Sequence, residues 1–343
     1  MNRLYPLKFK PIIKDKIWGG TRLKNLLNKS TKTDKAGESW EISGFPGNIS
    51  RVKNGFLAGN SLEEIIEVYM GDLVGDSVFD QFGTMFPLLI KFIDANDVLS
   101  VQVHPGDELA EKQFGSFGKT EMWYVLSAEK DAEIIIGFNQ KVDAEKYMDQ
   151  LEKKKILDIL NKEKTRPGDV FFLPAGRIHA LGSGILVAEI QQTSDATLRI
   201  YDFDRVDEKG KPRPLHNDKA LEAIDFSDVK EFKTSYKVTP NESVSLVSCN
   251  YFTTNLIELS KSVDKDYSRI DSFIIFMCIE GSFSIRYYDN ELEQVKKGET
   301  VLLPAELKNI SLLPDPSARI LEIYAGKHQK PDRSNELFDQ ILG

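Results

Sequence analysis

Ten residues near the middle of the chain, RPGDVFFLPA at 166–175, return as KKGETVLLPA at 296–305, with the glycine and the proline both displaced by 130 residues. Each copy reads as a glycine-acid turn, a buried strand and a Leu-Pro-Ala exit, and each is preceded upstream by an apolar strand, WYVLSAE or FMCIEGS. A duplicated strand unit limits the chain to two related β modules. Short Val/Ile/Phe/Tyr runs at 88–93, 98–104, 122–127, 132–138, 170–173, 185–191, 197–203, 273–279 and 282–288, parted by Gly, Pro, Asp and Asn, predict a mainly β sandwich or barrel. Two helical insertions are expected. SLEEIIEVYMGDLVGDSVFDQF at 61–82 begins with a Ser61/Glu64 capping box, and DAEKYMDQLEKKKILDILNKEK at 143–164 carries an apolar stripe. The expected division is an N-terminal module over 1–240, holding both insertions, and a C-terminal module over 241–343.

The two copies part at one position. The first continues PAGRIHALGSG, with His179 five residues beyond Pro174, and the second continues PAELKNIS, with Asn309 in that place. Only the first copy is equipped for chemistry. SVQVHP sets Gln102 and His104 two apart on a strand, so both side chains leave by one face, and Glu121 opens another strand on a face shared with Trp123 and Val125. Two histidines, a carboxylate and an amide oxygen drawn from three strands suit one divalent metal ion. A His₂Glu set with a further open position is a catalytic zinc arrangement, and ferrous iron or manganese accepts the same ligands.

Composition narrows the classes further. A formal charge of −8 from 53 acidic and 45 basic residues disfavours nucleic acid, and an anionic substrate needs a local basic pocket. No apolar run is long enough for a membrane span, and the start of the chain does not read as a secretory leader, so a cytoplasmic location is expected. The only two cysteines, Cys249 and Cys278, lie in apolar strand-like sequence and read as reduced thiols.

GDVFFLPAGRIHAL fits the second cupin signature at Gly168, Pro174, Gly176 and His179, which implies jelly-roll modules. The first signature is altered: Gln102 replaces its first histidine, and His104 and Glu121 stand unusually far apart. In that departure the chain resembles the type I phosphomannose isomerases of the short bacterial class, as do KIWGG, ESWEIS, FPLLIKFIDANDVLSVQVHP and AEIQQTSDATLRIYDFDR. The resemblance implies Gln102, His104, Glu121 and His179 as ligands of one zinc ion per chain, Arg199 as an active-site arginine, and Lys119 and Glu189 as polar residues of the pocket. It also implies interconversion of mannose 6-phosphate and fructose 6-phosphate through an enediol. That chemistry calls for a Lewis acid, a general base and cations for the phosphate. Lys119, Glu189 and a metal-bound hydroxide are the candidate bases. Against Arg199 as a charge stabiliser stands a salt bridge to Asp202 or Asp204. His216 and His328 read as solvated, and Trp18 and Trp40 as packing at the barrel ends. The alternative readings are a non-catalytic sugar- or metal-binding cupin and a cupin oxygenase; oligomeric state is not legible.

Overall fold

The structure, a computed structural model, describes residues 3–206 and 209–326; His328 lies outside them. Three antiparallel sheets carry the chain. A six-stranded sheet is ordered Ile12–Gly20, Ala36–Ser43, Leu88–Ala95, Ile185–Gln192, Glu121–Ala128, Val170–Leu173. It faces a five-stranded sheet ordered Leu198–Tyr201, Val101–Val103, His179–Ala180, Glu133–Phe138, Leu160–Lys164. Together they form the first jelly roll. The eight-stranded third sheet builds the second module around the long strands Ile274–Tyr287 and Asn309–Ala325.

Alternation explains the layering, because successive side chains on a strand leave by opposite faces. Trp123, Val125, Ile134, Ile136 and Val187 fill the space between the first two sheets. Ile90, Phe92, Met122, Tyr124, Ala188 and Ile190 leave by the outer face of the six-stranded sheet and join a cluster with Phe273, Phe276, Leu303 and Leu321 of the second module. The two modules therefore share one hydrophobic core. The N-terminal pair Leu7–Lys8 extends this union by pairing with Leu302 and Val301 of the third sheet.

The repeated glycines do the same job twice: Gly168 and Gly298 turn the chain at φ 89° and 85°, in the left-handed region that glycine adopts without a Cβ penalty. The first helical insertion is present, with its capping box formed in both directions. It is two helices, Leu62–Val74 and Asp76–Phe82, parted at Gly75, where a Cβ would stand 2.6 Å from Asp271 O. The second insertion is helical only over Ala144–Glu152. Lys154 turns left-handed at φ 56°, a short 3₁₀ turn follows over Ile156–Ile159, and Leu160–Lys164 becomes an edge strand paired with Glu133–Phe138. Sheet pairing overrides the helical stripe there.

Candidate metal centre and surrounding pocket

Strand register brings the predicted residues together. Across the five-stranded sheet, His179 pairs with Gln102, and Gln102 pairs with Arg199. Across the six-stranded sheet, Trp40, Lys91, Glu189, Trp123 and Phe171 stand side by side on five strands, and Glu121 lies two residues from Trp123 on the same face. The two rows meet between the sheets.

His104, Glu121 and His179 present ligand atoms that all lie within 4.8 Å of one another, and all three residues are buried. His179 Nε2 is 3.3 Å from Glu121 Oε1, and His104 Nε2 is 3.4 Å from Glu121 Oε2. Bonds of 2.0–2.2 Å to a tetrahedral centre set ligand atoms about 3.4 Å apart, so these separations fit one ion. His104 Nδ1 donates to Ala196 O at 3.0 Å, and His179 Nδ1 donates to Arg177 O at 2.9 Å. A carbonyl can only accept, so each ring keeps its hydrogen on Nδ1 and turns the Nε2 lone pair inward. Burial, with Lys119 alongside, lowers His104 to about 3 and keeps it neutral; burial lowers His179 as well. Burial opposes ionisation of Glu121, but Lys119 and His104 outweigh it and hold the carboxyl well below its usual range. Both Glu121 oxygens are fully buried and neither accepts a well-formed hydrogen bond; the Lys119 ammonium reaches Oε2 at 3.1 Å, and Oε1 faces His179 Nε2. An ionised, buried carboxylate without hydrogen bonds is costly unless it faces a cation. Gln102 turns its amide nitrogen toward His179 Nε2 at 3.4 Å, so its oxygen joins the set only with the amide rotated, and His104, Glu121 and His179 form the gathered donors. The donor set therefore fits a divalent metal.

The charged neighbours are arranged in pairs. Lys119 is buried, with Nζ 3.1 Å from Glu121 Oε2 and donating to His104 Nε2 at 3.0 Å. Glu189 is buried with one oxygen 3.0 Å from Lys91 Nζ and the other accepting from Trp123 Nε1 at 2.8 Å. Burial is the largest influence on Glu189 and lifts its pKa above the usual value despite Lys91. Lys91 is the residue that sequence reasoning missed. Its Nζ also donates to Gln191 Oε1 at 2.7 Å and stands 5.2 Å from the Trp40 ring. Burial opposes its charge, but Glu189 and Glu38 raise its pKa beyond that of a free lysine. Burial opposes ionisation of Glu38 too, yet Lys91 and Lys16 bring it to about 2. The signal was a lone lysine inside the apolar strand LLIKFIDA, where burial on both faces demands a carboxylate partner. Trp40, expected at a barrel end, lines this pocket, and Trp18 packs between the sheets.

Arg199 is not salt-bridged to Asp202. That carboxylate is held by Arg205 at 2.6 Å and by Arg213 Nε at 2.7 Å, and Asp204 accepts from the Tyr201 hydroxyl at 3.4 Å. Arg199 instead donates from one terminal nitrogen to Pro214 O at 2.9 Å, while its Nε is buried without a hydrogen-bond partner. Burial and then Arg213 lower its pKa. His216 is not simply solvated. Its Nδ1 accepts the Arg199 N–H at 3.0 Å and its own N–H donates to Arg199 O at 2.7 Å, clamping the strand that carries Arg199.

Comparison with known proteins agrees with this geometry. Residues 6–156 match the family described as phosphomannose isomerase type I, catalytic domain, and residues 242–315 match mannose-6-phosphate isomerase, cupin domain. The chain is 38% identical over 314 residues to mannose-6-phosphate isomerase ManA of Bacillus subtilis, covering 90% of this chain and 95% of that one. It is 35% identical over 307 residues to mannose-6-phosphate isomerase of Streptococcus mutans, covering 89% and 94%. Its fold superposes on the crystal structure of the mannose 6-phosphate isomerase from Bacillus subtilis with a TM-score of 0.84 at 32% identity, covering 93% of this chain and 99% of that one.

Proposed function

The chain belongs to the type I phosphomannose isomerases, and from that premise we propose that it interconverts mannose 6-phosphate and fructose 6-phosphate with Gln102, His104, Glu121 and His179 holding one zinc ion. The observation that carries the site is the gathering of His104 Nε2, His179 Nε2 and the buried, ionised Glu121 carboxylate within 4.8 Å of one another, with Lys119 reaching Oε2 and both imidazole lone pairs turned inward. When bound, the metal supplies Lewis-acid stabilisation of negative charge on the sugar oxygens.

The protein residues do the rest. Isomerisation moves a proton between C2 of the open-chain aldose and C1 of the ketose. Glu189 takes it from one carbon and returns it to the other. Burial raises its pKa toward the working range, and Lys91 and Trp123 orient its oxygens while leaving lone pairs free. Lys119, beside two ligands, holds and returns the proton at the sugar oxygens. Arg199 stabilises the charge that develops on the enediolate with a planar guanidinium whose Nε has no partner of its own. Trp40, Trp123 and Phe171 wall the pocket against water. A storage cupin or an oxygenase has no use for Lys91, Lys119 and Arg199 around one metal, and an isomerase of sugar phosphates does.

The working division is a metal-bearing module over 1–240 and a metal-free one over 241–343. A cytoplasmic setting belongs to the same proposal, supported by two free cysteines; no helix among the described residues is long and apolar enough to cross a membrane. A coupled assay on mannose 6-phosphate tests the reading. Turnover should vanish with chelator and return with zinc; turnover indifferent to chelator would remove the metal from the proposal.

A further inference from the structure

Residues 105–120 make an excursion between two of the proposed ligands, and the helix Asp107–Phe114 occupies its first half. Its two ends meet at one carboxylate. Asp107 Oδ1 accepts from the Gly118 N–H and from Gln192 Nε2, both at 2.9 Å, and Asp107 Oδ2 accepts from the Tyr251 hydroxyl at 2.6 Å. Tyr251 belongs to the second module, in the turn between the strands Ser243–Ser248 and Phe252–Leu259. Gln192 extends the chain of bonds. Its Oε1 accepts the Thr120 N–H at 2.9 Å, and its own N–H donates to Thr120 O at 3.2 Å. Lys119 N–H donates to Pro105 O at 3.1 Å, and Gly118 approaches so closely that a Cβ would stand 2.6 Å from Asp107 N.

Lys119 thus sits between two residues whose main chains are tied. A lysine stem turns about four bonds, so the accuracy of its ammonium depends on a fixed backbone and a packed channel. Asp107 can fix that backbone only while its own rotamer is held, and Tyr251 supplies the bond to the oxygen that the excursion does not use.

We propose that Tyr251 is a positioning residue for the isomerisation: reaching across from the second module, its hydroxyl fixes Asp107, and Asp107 with Gln192 sets the backbone 118–120 that aims Lys119. The proposal rests on the reading of Lys119 as a group that acts on the sugar. It gives the second module, which shows no metal-ligand cluster among its described residues, a part in turnover.

The test compares kcat, KM, bound metal and melting temperature for wild type, Tyr251→Phe, Asp107→Asn, their double variant and Lys119→Ala. A hydrogen bond to a charged group is stronger than one between neutral groups, and misplacing a catalytic group by about 1 Å is expressed in turnover. Tyr251→Phe should lose roughly tenfold in kcat with KM and bound metal unchanged. Asp107→Asn should behave alike, and the double variant should be no worse than the poorer single, because both break one linkage. If Asp107→Asn fails to fold, Tyr251→Phe decides alone. Wild-type kcat in Tyr251→Phe, with only the melting temperature lowered, would make the bond a structural strut and overturn the proposal. Loss of kcat together with metal would overturn it too, by routing the effect through the ligands. An active Lys119→Ala would sink the reading of Lys119 and the brace with it, whereas an inactive Lys119→Ala beside a fully active Tyr251→Phe would sink the brace alone.

Discussion

The two modules present the same row of strands with different chemistry on it. In the first, Trp40, Lys91, Glu189, Trp123 and Phe171 are neighbours; in the second the corresponding row is Ser245, Asn255, Glu322, Phe276 and Val301. A buried glutamate holds the centre of both. Glu322 is saturated: Ser243 at 2.6 Å and Asn255 at 2.8 Å donate to one oxygen, and Tyr267 at 2.6 Å and Lys265 at 3.0 Å reach the other. Burial raises it, but Lys265 and the hydrogen bonds outweigh burial and lower its pKa, whereas burial prevails at Glu189. The positions of the proposed ligands diverge as well. Leu173 pairs with Glu121, but Leu303, its repeat, pairs with Ile274; His179 pairs with Gln102, but exposed Asn309 pairs with Asp266. One scaffold therefore supports Glu322 with two donors on each oxygen in one module and, in the other, Glu189 with a single donor on each, beside the proposed ligand Glu121. What separates a site from a core here is the count of unmet hydrogen-bonding groups, since a buried polar group without partners is expensive to keep.

The largest expected effect is at Glu121. Glu121→Gln replaces the anionic ligand, and loss of several kcal/mol of charge stabilisation should lower kcat at least about 10³-fold. Retention of kcat in steady-state assays would put the chemistry elsewhere. Arg199→Ala comes next, with kcat and kcat/KM falling together by roughly 10²–10³-fold while KM stays fixed, as for loss of a preorganised charge donor. A raised KM with kcat intact would make Arg199 a phosphate anchor.

The paired glutamates give a sharper contrast through pH. Glu322 has a lowered pKa in the folded state, so its stabilisation is present above the usual value of 4.5 and is lost as pH falls through its lower folded value. Glu189 has a raised pKa, so its contribution is complete below 4.5 and is lost as pH rises through the folded value. Glu322→Gln should therefore cost about 1.5–3 kcal/mol at pH 7 with turnover per folded molecule retained. Glu189→Gln should lose turnover, and at pH 7 it should also cost stability, because Lys91 is left buried with Glu38 as its remaining carboxylate. Denaturant unfolding from pH 3 to pH 8 reads both signs, and the same sign for the two would break the comparison. Smallest of all, Asn309→Ala, at an exposed position, should leave kcat within about twofold and stability within about 0.5 kcal/mol.

How much of this was legible follows from how local each signal is. Q-x-H, K-T-E and the histidine after Pro-Ala-Gly are short patterns whose faces follow from strand alternation, so the gathering of His104, Glu121 and His179 could be read residue by residue. The repeat gave away two modules because turn glycines and exit prolines are backbone requirements. Lys91 was hidden by its apolar neighbours, and only the register across five strands shows that it serves Glu189. The helix Asp107–Phe114 was hidden between Gly106 and Gly115, with charged residues throughout. The stripe in 143–164 misled, because the edge of a sheet claimed its second half. The bond between Asp107 and Tyr251 joins residues 144 apart, a distance over which no periodicity speaks.

Metal stoichiometry bears most directly on the claim that one module is a site and the other its satisfied twin. Elemental analysis of the purified protein after dialysis should find about one zinc per chain in wild type and in Asn309→Ala, and almost none in His179→Ala, as a single complete ligand set requires. Two equivalents per chain, or wild-type metal in His179→Ala, would contradict it.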